Sequence, residues 1–198
     1  MKPVFLFPSV IVVMLVIKHI INKADPKKGI QKSILELESE ANLTRRQDIS
    51  NLPYIRIPDD TLPFGMLTPV TADEQTVVKL RDQKILNLTG ISNTQLKLQY
   101  GPANLDALSA YDDNFALLIR SLNNWAVACN EAKMYPEAKA ILEYSVNIGS
   151  DIRKTYQMLA DQYYAELDTD ALSLLRDKAA ALPEITSHSI LDYIDNLL

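Results

Sequence analysis

The chain has 198 residues, carries 20 Lys and Arg against 25 Asp and Glu for a net charge of −5, and is 47% hydrophobic. That is enough apolar material for one domain with a real core, and too acidic a balance for a nucleic-acid footprint. A single cysteine, Cys129, excludes an intrachain disulfide and a cysteine-based zinc site and fits a reducing compartment.

Residues 4–21, VFLFPSVIVVMLVIKHII, form a continuous apolar stretch. As a helix they would reach roughly 27 Å at about 1.5 Å per residue, near hydrocarbon thickness. Residues 1–23 are therefore expected to be an uncleaved transmembrane anchor. A signal peptide would need a basic n-region and a small-residue cleavage site, whereas here Lys2 alone precedes the run and no A-x-A-like triplet follows it. Lys18, Lys23, Lys27, Lys28 and Lys32 lie on its C-terminal side, so the positive-inside rule places the C-terminal part in the cytoplasm, single-pass, at the cell membrane. These lysines can rest on anionic headgroups, while the acidic remainder would be repelled by the same surface. The triplets Asn42-Leu43-Thr44 and Asn87-Leu88-Thr89 match glycosylation sequons, a pattern that arises easily by chance.

Residues 24–50 are charged and helix-compatible, with a thin apolar stripe at Ile30, Ile34, Leu35 and Leu37, and are expected to form a juxtamembrane helical stalk. Residues 51–70 carry Pro53, Pro58, Pro63 and Pro69, which forbid helix and central strand alike. Because Tyr54, Ile55, Ile57, Leu62, Phe64, Met66 and Leu67 are too apolar for a free linker, this stretch is read as an extended strap lying on a helical domain at 71–198.

Thr71-Ala72-Asp73-Glu74 reads as a capping box, after which Val77, Val78, Leu80, Ile85 and Leu88 carry a helix toward Gly90. The piece SNTQLKLQYGP alternates like a strand at Leu96, Leu98 and Tyr100, yet a Ser92 cap and a Gly101 stop favour a short helix in helical surroundings. A further short helix opens with Pro102 and buries Leu105, Leu108 and Tyr111. After Asp112-Asp113, residues Phe115, Leu118, Ile119, Leu122, Trp125, Ala126 and Cys129 recur at spacings of three and four, an amphipathic helix of about five turns. A second helix opens with Pro136 and Glu137, buries Ala138, Ile141, Leu142 and Ser145, and stops at Gly149. The pair recurs. Ile152, Tyr156, Leu159, Ala160 and Tyr163 make the next first helix, and Ala171, Leu172, Leu175 and Ala179 the next second one, ending before Pro183. A last helix from Ser189 to Leu198 places Ile190, Leu191, Ile194, Leu197 and Leu198 on one face, suiting a C-terminal cap or, alternatively, a docking helix.

The segment LNNWAVACNEAKMYPEAKAILEYSVNIGSD resembles a tetratricopeptide repeat, and KTYQMLADQYYAELDTDALSLLRDKAAALP resembles a second copy. Trp125-Ala126 match the large-then-small pair of the family's first helix, Tyr135 its turn aromatic and Ala138 the small residue where the helices cross. In the second copy Leu159-Ala160, Tyr163, Ala171, Leu175 and Pro183 match likewise, with one residue missing from the turn. Cys129 stands where the family has an aromatic, Lys133 where it has a glycine, and Ser150 where it has a proline. The resemblance covers about 65 residues, one third of the chain, and implies an all-α fold of tetratricopeptide-like (TPR-like) antiparallel hairpins stacking into a superhelix.

It also implies a concave groove lined by the first helices, as in family members that bind peptides. Its side chains would be Arg120, Asn123, Val127, Asn130, Lys154, Gln157, Asp161 and Tyr164, with Arg120 and Lys154 placed to receive a carboxylate and Asn123 and Gln157 to donate to it. An ordinary solvated helix face explains any one of them better, and a full carboxylate-clamp pattern is not present. The strap is a further candidate to fill this groove from within.

Motifs for catalysis are sparse. There is no HExxH, no P-loop and no G-x-G-x-x-G, only His19 and His188 are available for a triad, and Asp59-Asp60 and Asp112-Asp113 are explained by turns and caps. No enzyme, metal site or small-molecule cofactor is expected. The expectation is a membrane-anchored adaptor or scaffold that binds a protein or peptide partner and no nucleic acid. The alternative is an exported assembly or quality-control factor built on the same helical domain, and an enzyme with an unmarked site ranks third.

Overall fold

A computed structural model describes the backbone of residues 26–198 and the side chains from Ser33 onward. Eight α-helices and no strand occur among the described residues, so the fold is all-α. The expected anchor at 4–21 lies outside the described residues, and no described helix is long and apolar enough to cross a membrane. The chain divides into two compact units.

The smaller unit takes its described residues from the stretches 26–47 and 93–103. Helix α1 (Pro26–Leu43) packs on α3 (Asn93–Tyr100), burying Ala41 and Leu96. The Glu38 carboxylate accepts from the Lys97 ammonium and from the Thr94 hydroxyl at 2.7 Å. Those two bonds, Lys97 first, hold its pKa below the usual glutamate range. The expected stop at Gly101 is present: its φ of 85° is glycine backbone, and a Cβ there would sit 2.7 Å from the Arg45 carbonyl oxygen.

The larger unit comprises 48–92 and 104–198. Residues 51–70 form neither helix nor strand, yet Ile57 and Leu62 are buried in the core. Helix α2 (Ala72–Leu80) is capped by Thr71, whose hydroxyl accepts from the Glu74 amide at 3.1 Å. The other half of the expected capping box is absent. Instead, the Glu74 carboxylate is buried and accepts from the Gly65 amide at 2.5 Å. Helix α2 also ends at Leu80 instead of running to Leu88. Ile85 and Leu88 are buried from an irregular segment, where the Ile55 amide donates to the Ile85 carbonyl at 2.9 Å.

A 3-10 turn (Pro102–Asn104) leads into α4 (Leu105–Glu131), so the two helices expected on either side of Asp112-Asp113 are one. Asp112 is not a cap of its own helix. Its carboxylate accepts from the Leu88 amide at 2.9 Å, satisfying a backbone donor of the irregular segment.

Helix α4 pairs with α5 (Tyr135–Asn147), and α6 (Arg153–Ala165) with α7 (Thr169–Ala180). The first pair buries Leu118, Leu122, Trp125, Ala126, Ala138, Ile141 and Leu142, and the second Tyr156, Leu159, Ala160, Leu172, Leu175 and Ala179. Both hairpins turn the same way. Lys133, at φ 61°, donates to Asn130 O while Met134 N donates to Cys129 O; Leu167, at φ 60°, donates to Tyr164 O while Asp168 N donates to Tyr163 O. Each is a Schellman closure made without glycine. Gly149 closes α5 in the same way, with its own amide to Val146 O and the Ser150 amide to Ser145 O.

Helix α8 (Glu184–Asp195) begins directly after Pro183, one turn earlier than the expected Ser189 start, because Pro183 already fixes the entry. It packs on α6 and α7, burying Ile190 and Ile194 and leaving Leu198 exposed.

Candidate functional site

Helices α4, α6 and α8 are bridged by side-chain hydrogen bonds that repeat with one spacing. The Thr155 hydroxyl donates to Asn123 Oδ1 at 3.2 Å, Gln162 Nε2 donates to Asn130 Oδ1 at 3.1 Å, and the Tyr193 hydroxyl donates to Asp161 Oδ1, each across 32 positions of sequence. Between α4 and α6 this arrangement leaves an open cavity of about 650 Å³. Val127 and Met158 supply its apolar floor, Tyr135 an aromatic edge, and Asn130, Gln162, Lys154, Glu131, Asp161 and Glu166 its polar wall.

Of the residues expected to line a groove, Val127, Asn130, Lys154 and Asp161 line this cavity. Arg120, Asn123, Gln157 and Tyr164 are not among its lining residues; Arg120 and Tyr164 are exposed, and Asn123 is occupied by Thr155. Sequence reasoning missed Glu131, Tyr135, Met158, Gln162, Ala165 and Glu166. The first two and the last sit at helix ends or turns, and Met158 and Gln162 lie on the α6 face turned toward α4. The matching polar residues at Asn130 and Gln162, one repeat apart, were the available signal for that face.

The charges at the cavity are unequal. Glu131, Asp161 and Glu166 are its lining carboxylates, and Lys154 is its lining ammonium. Glu166 is paired with Lys139, which also lies over the Tyr163 ring at 4.9 Å. Glu131 has no salt bridge among the described residues. The Gln162 Oε1 atom is shielded from solvent and accepts no hydrogen bond. A buried acceptor left unmatched costs about 1–3 kcal/mol.

No residue of the strap lines this cavity. Its contacts fall elsewhere: the Tyr144 hydroxyl of α5 donates to the Arg56 carbonyl at 3.1 Å, Phe64 stacks 5.1 Å from Trp125, and Arg81 lies 3.9 Å above the Phe64 ring while pairing with Asp59 at 2.9 Å.

Cys129 is buried, and desolvation, with Glu137 and Glu74 adding, pushes its thiol up to about 11. His188 is exposed and stands 3.7 Å from Asp192 one turn along α8. No group of three or more His, Cys, Asp or Glu that could hold a metal ion occurs among the described residues. Compared with protein-family models, curated proteins and solved structures, the chain has no match.

Proposed function

We propose that this chain is a membrane-anchored adaptor whose helical domain is TPR-like and holds a segment of a protein partner in the groove between α4 and α6. Binding, not bond chemistry, is the mechanism. The observation that carries the reading is the pair of bridges between first helices: Asn123 to Thr155 and Asn130 to Gln162 hold α4 and α6 side by side in register, with an open cavity between them. The shared turn geometry at Lys133 and Leu167 supports the same hairpin repeat. One amphipathic hairpin cannot bury its apolar face alone, and stacking supplies the cover. A cavity of this size, part apolar and part polar, suits side chains of an inserted segment.

For the anchor, the support is the uncharged run from Val4 to Ile17 and the lysines that follow it. The domain would then stand on the cytoplasmic face. A reporter fused after Leu198 tests that orientation: activity of a cytoplasm-dependent reporter is expected, and activity of an export-dependent one overturns it.

The binding reading is tested by partner capture from detergent-solubilised membranes with the intact chain beside Val127→Trp, which fills the cavity. A specific partner retained by the intact chain and lost by the folded variant is the expected result. An unchanged set of partners overturns the groove as the site.

A further inference from the structure

Resting on the binding-groove reading, we infer that the α4–α6 groove selects a lysine- or arginine-bearing segment of its protein partner, in place of the carboxylate that the Arg120 and Lys154 pattern suggests in sequence.

Three features of the groove point the same way. First, its charge is acidic: Glu131, Asp161 and Glu166 line it with Lys154, and the Lys139 partner of Glu166 still leaves three carboxylates against two ammonium groups. Arg120, the second cation of a carboxylate site, is not among the lining residues, and neither is Asn123, its neutral donor, whose amide nitrogen donates to Asn124 Oδ1 at 3.4 Å. Second, the unmatched groups in the groove accept and do not donate. Gln162 uses its amide nitrogen on Asn130 and leaves Oε1 buried without a donor, and Glu131 has no salt bridge among the described residues. A carboxylate brought here would add an acceptor beside a buried one that lacks a donor and an exposed carboxylate that lacks a counter-ion, whereas an ammonium or guanidinium supplies what each lacks. Third, the exposed Tyr135 ring borders the cavity and offers a π face to a cation, while Val127 and Met158 take the aliphatic stem of a long basic side chain. Lys154 marks one end of the groove, so the inserted segment would carry its cation toward Glu131 and away from Lys154.

The test is fluorescence anisotropy with the full chain in detergent and two labelled nonapeptides, one repeating Lys-Leu-Gly and the other Glu-Leu-Gly, at low and at physiological salt. Glu131→Lys reverses charge in the groove, and Asp177→Lys reverses it on an exposed site of α7 as a control for net charge. The expected result is saturable binding of the cationic peptide alone, weakened about tenfold by Glu131→Lys and less than twofold by Asp177→Lys. Preference for the anionic peptide, equal weakening by both reversals, or no binding of the cationic peptide overturns the inference.

Val127→Trp separates this from the underlying reading. If the variant loses the captured partner but the intact chain shows no preference for the cationic peptide, the charge assignment falls and the groove stands. If the cationic peptide binds the intact chain and Val127→Trp equally well, both fall.

Discussion

Lys133 and Leu167 hold the same left-handed backbone, φ 61° and 60°, at the same point of two successive hairpins. Each gives its amide to the carbonyl three residues back, and the following residue gives its own to the carbonyl five back. An L-residue in this conformation costs about 1–2 kcal/mol, which glycine does not incur, although glycine loses more chain entropy on folding. Leu167 is 83% exposed, so little burial is lost by truncating it. Lys133→Gly and Leu167→Gly are each expected to stabilise the larger unit by about 0.5–1 kcal/mol. Urea unfolding followed through Trp125, the chain's single tryptophan and a fully buried one, reads this as a higher midpoint with an unchanged slope.

Gly101 and Gly90 make an internal comparison in the opposite direction. Both have positive φ, but a Cβ at Gly90 meets nothing within 4 Å, whereas one at Gly101 meets Arg45 O at 2.7 Å and Arg46 Cα at 2.8 Å. Gly90→Ala should cost about 1 kcal/mol from backbone strain alone. Gly101→Ala should cost more, about 2–3 kcal/mol, and loosen the bond from the Gln47 amide to Tyr100 O. Hydrogen exchange at Gln47 is the measurement; equal protection in the two variants contradicts the steric account.

Stability should fall on the alkaline side. Burial pushes the Tyr144 and Tyr156 phenols up to about 12, with Asp151 adding to Tyr156, and pushes Tyr163 up as well, helped by its bond to Glu143. Above pH 10 the unfolded phenols lose protons that the folded ones keep. The folded state then binds more protons than the unfolded one, and stability declines with rising pH from about 10 to about 12. A urea midpoint measured from pH 8 to 11.5 should drop above pH 10, and Tyr156→Phe should shallow the decline.

Cys129 should be silent toward thiol reagents in the folded protein. It is 1% exposed with a thiol pushed up to about 11, so at pH 8 neither access nor thiolate is available. Labelling with a chromogenic disulfide is expected to be complete in urea and to proceed without denaturant only at the rate of opening. Rapid stoichiometric labelling of the native chain would show that α4 is less well packed than described.

Spacings of three and four made the paired helices of the larger unit readable, since Trp125, Leu142, Leu159 and Leu175 recur on faces that are in fact buried. The same signal misled at Ile85 and Leu88. They continue the apolar spacing of α2 but are buried from an irregular segment, whose backbone is satisfied by Ile55 and by the Asp112 carboxylate. Periodicity reports which side chains are buried and is blind to a distant partner that makes a turn possible. Asp112-Asp113 looked like a helix start for the same reason, because its long-range role with Leu88 leaves no local trace.

At the groove, Val127, Asn130, Lys154 and Asp161 followed from helical phase. Glu131 and Tyr135 did not, because they flank the turn at Lys133, where the phase of α4 no longer dictates direction. Arg120 has the right phase but lies about two turns before Val127, whereas Gln157, between Lys154 and Asp161 along α6, is turned away from the lining face of Lys154, Met158 and Asp161.

The bridges from Asn123 to Thr155 and from Asn130 to Gln162 have a bearing on how a guest would be received. They draw on side chains that would otherwise lose rotamer freedom only when a ligand arrived, and they spend that freedom during folding. On the proposed binding reading, the spacing of α4 and α6 is set before a guest arrives, and the entropic cost of association would fall mainly on the incoming segment. Discrimination between guests would then rest with the exposed side chains of Glu131, Tyr135 and Lys154, while the spacing between the helices would stay constant from one guest to the next.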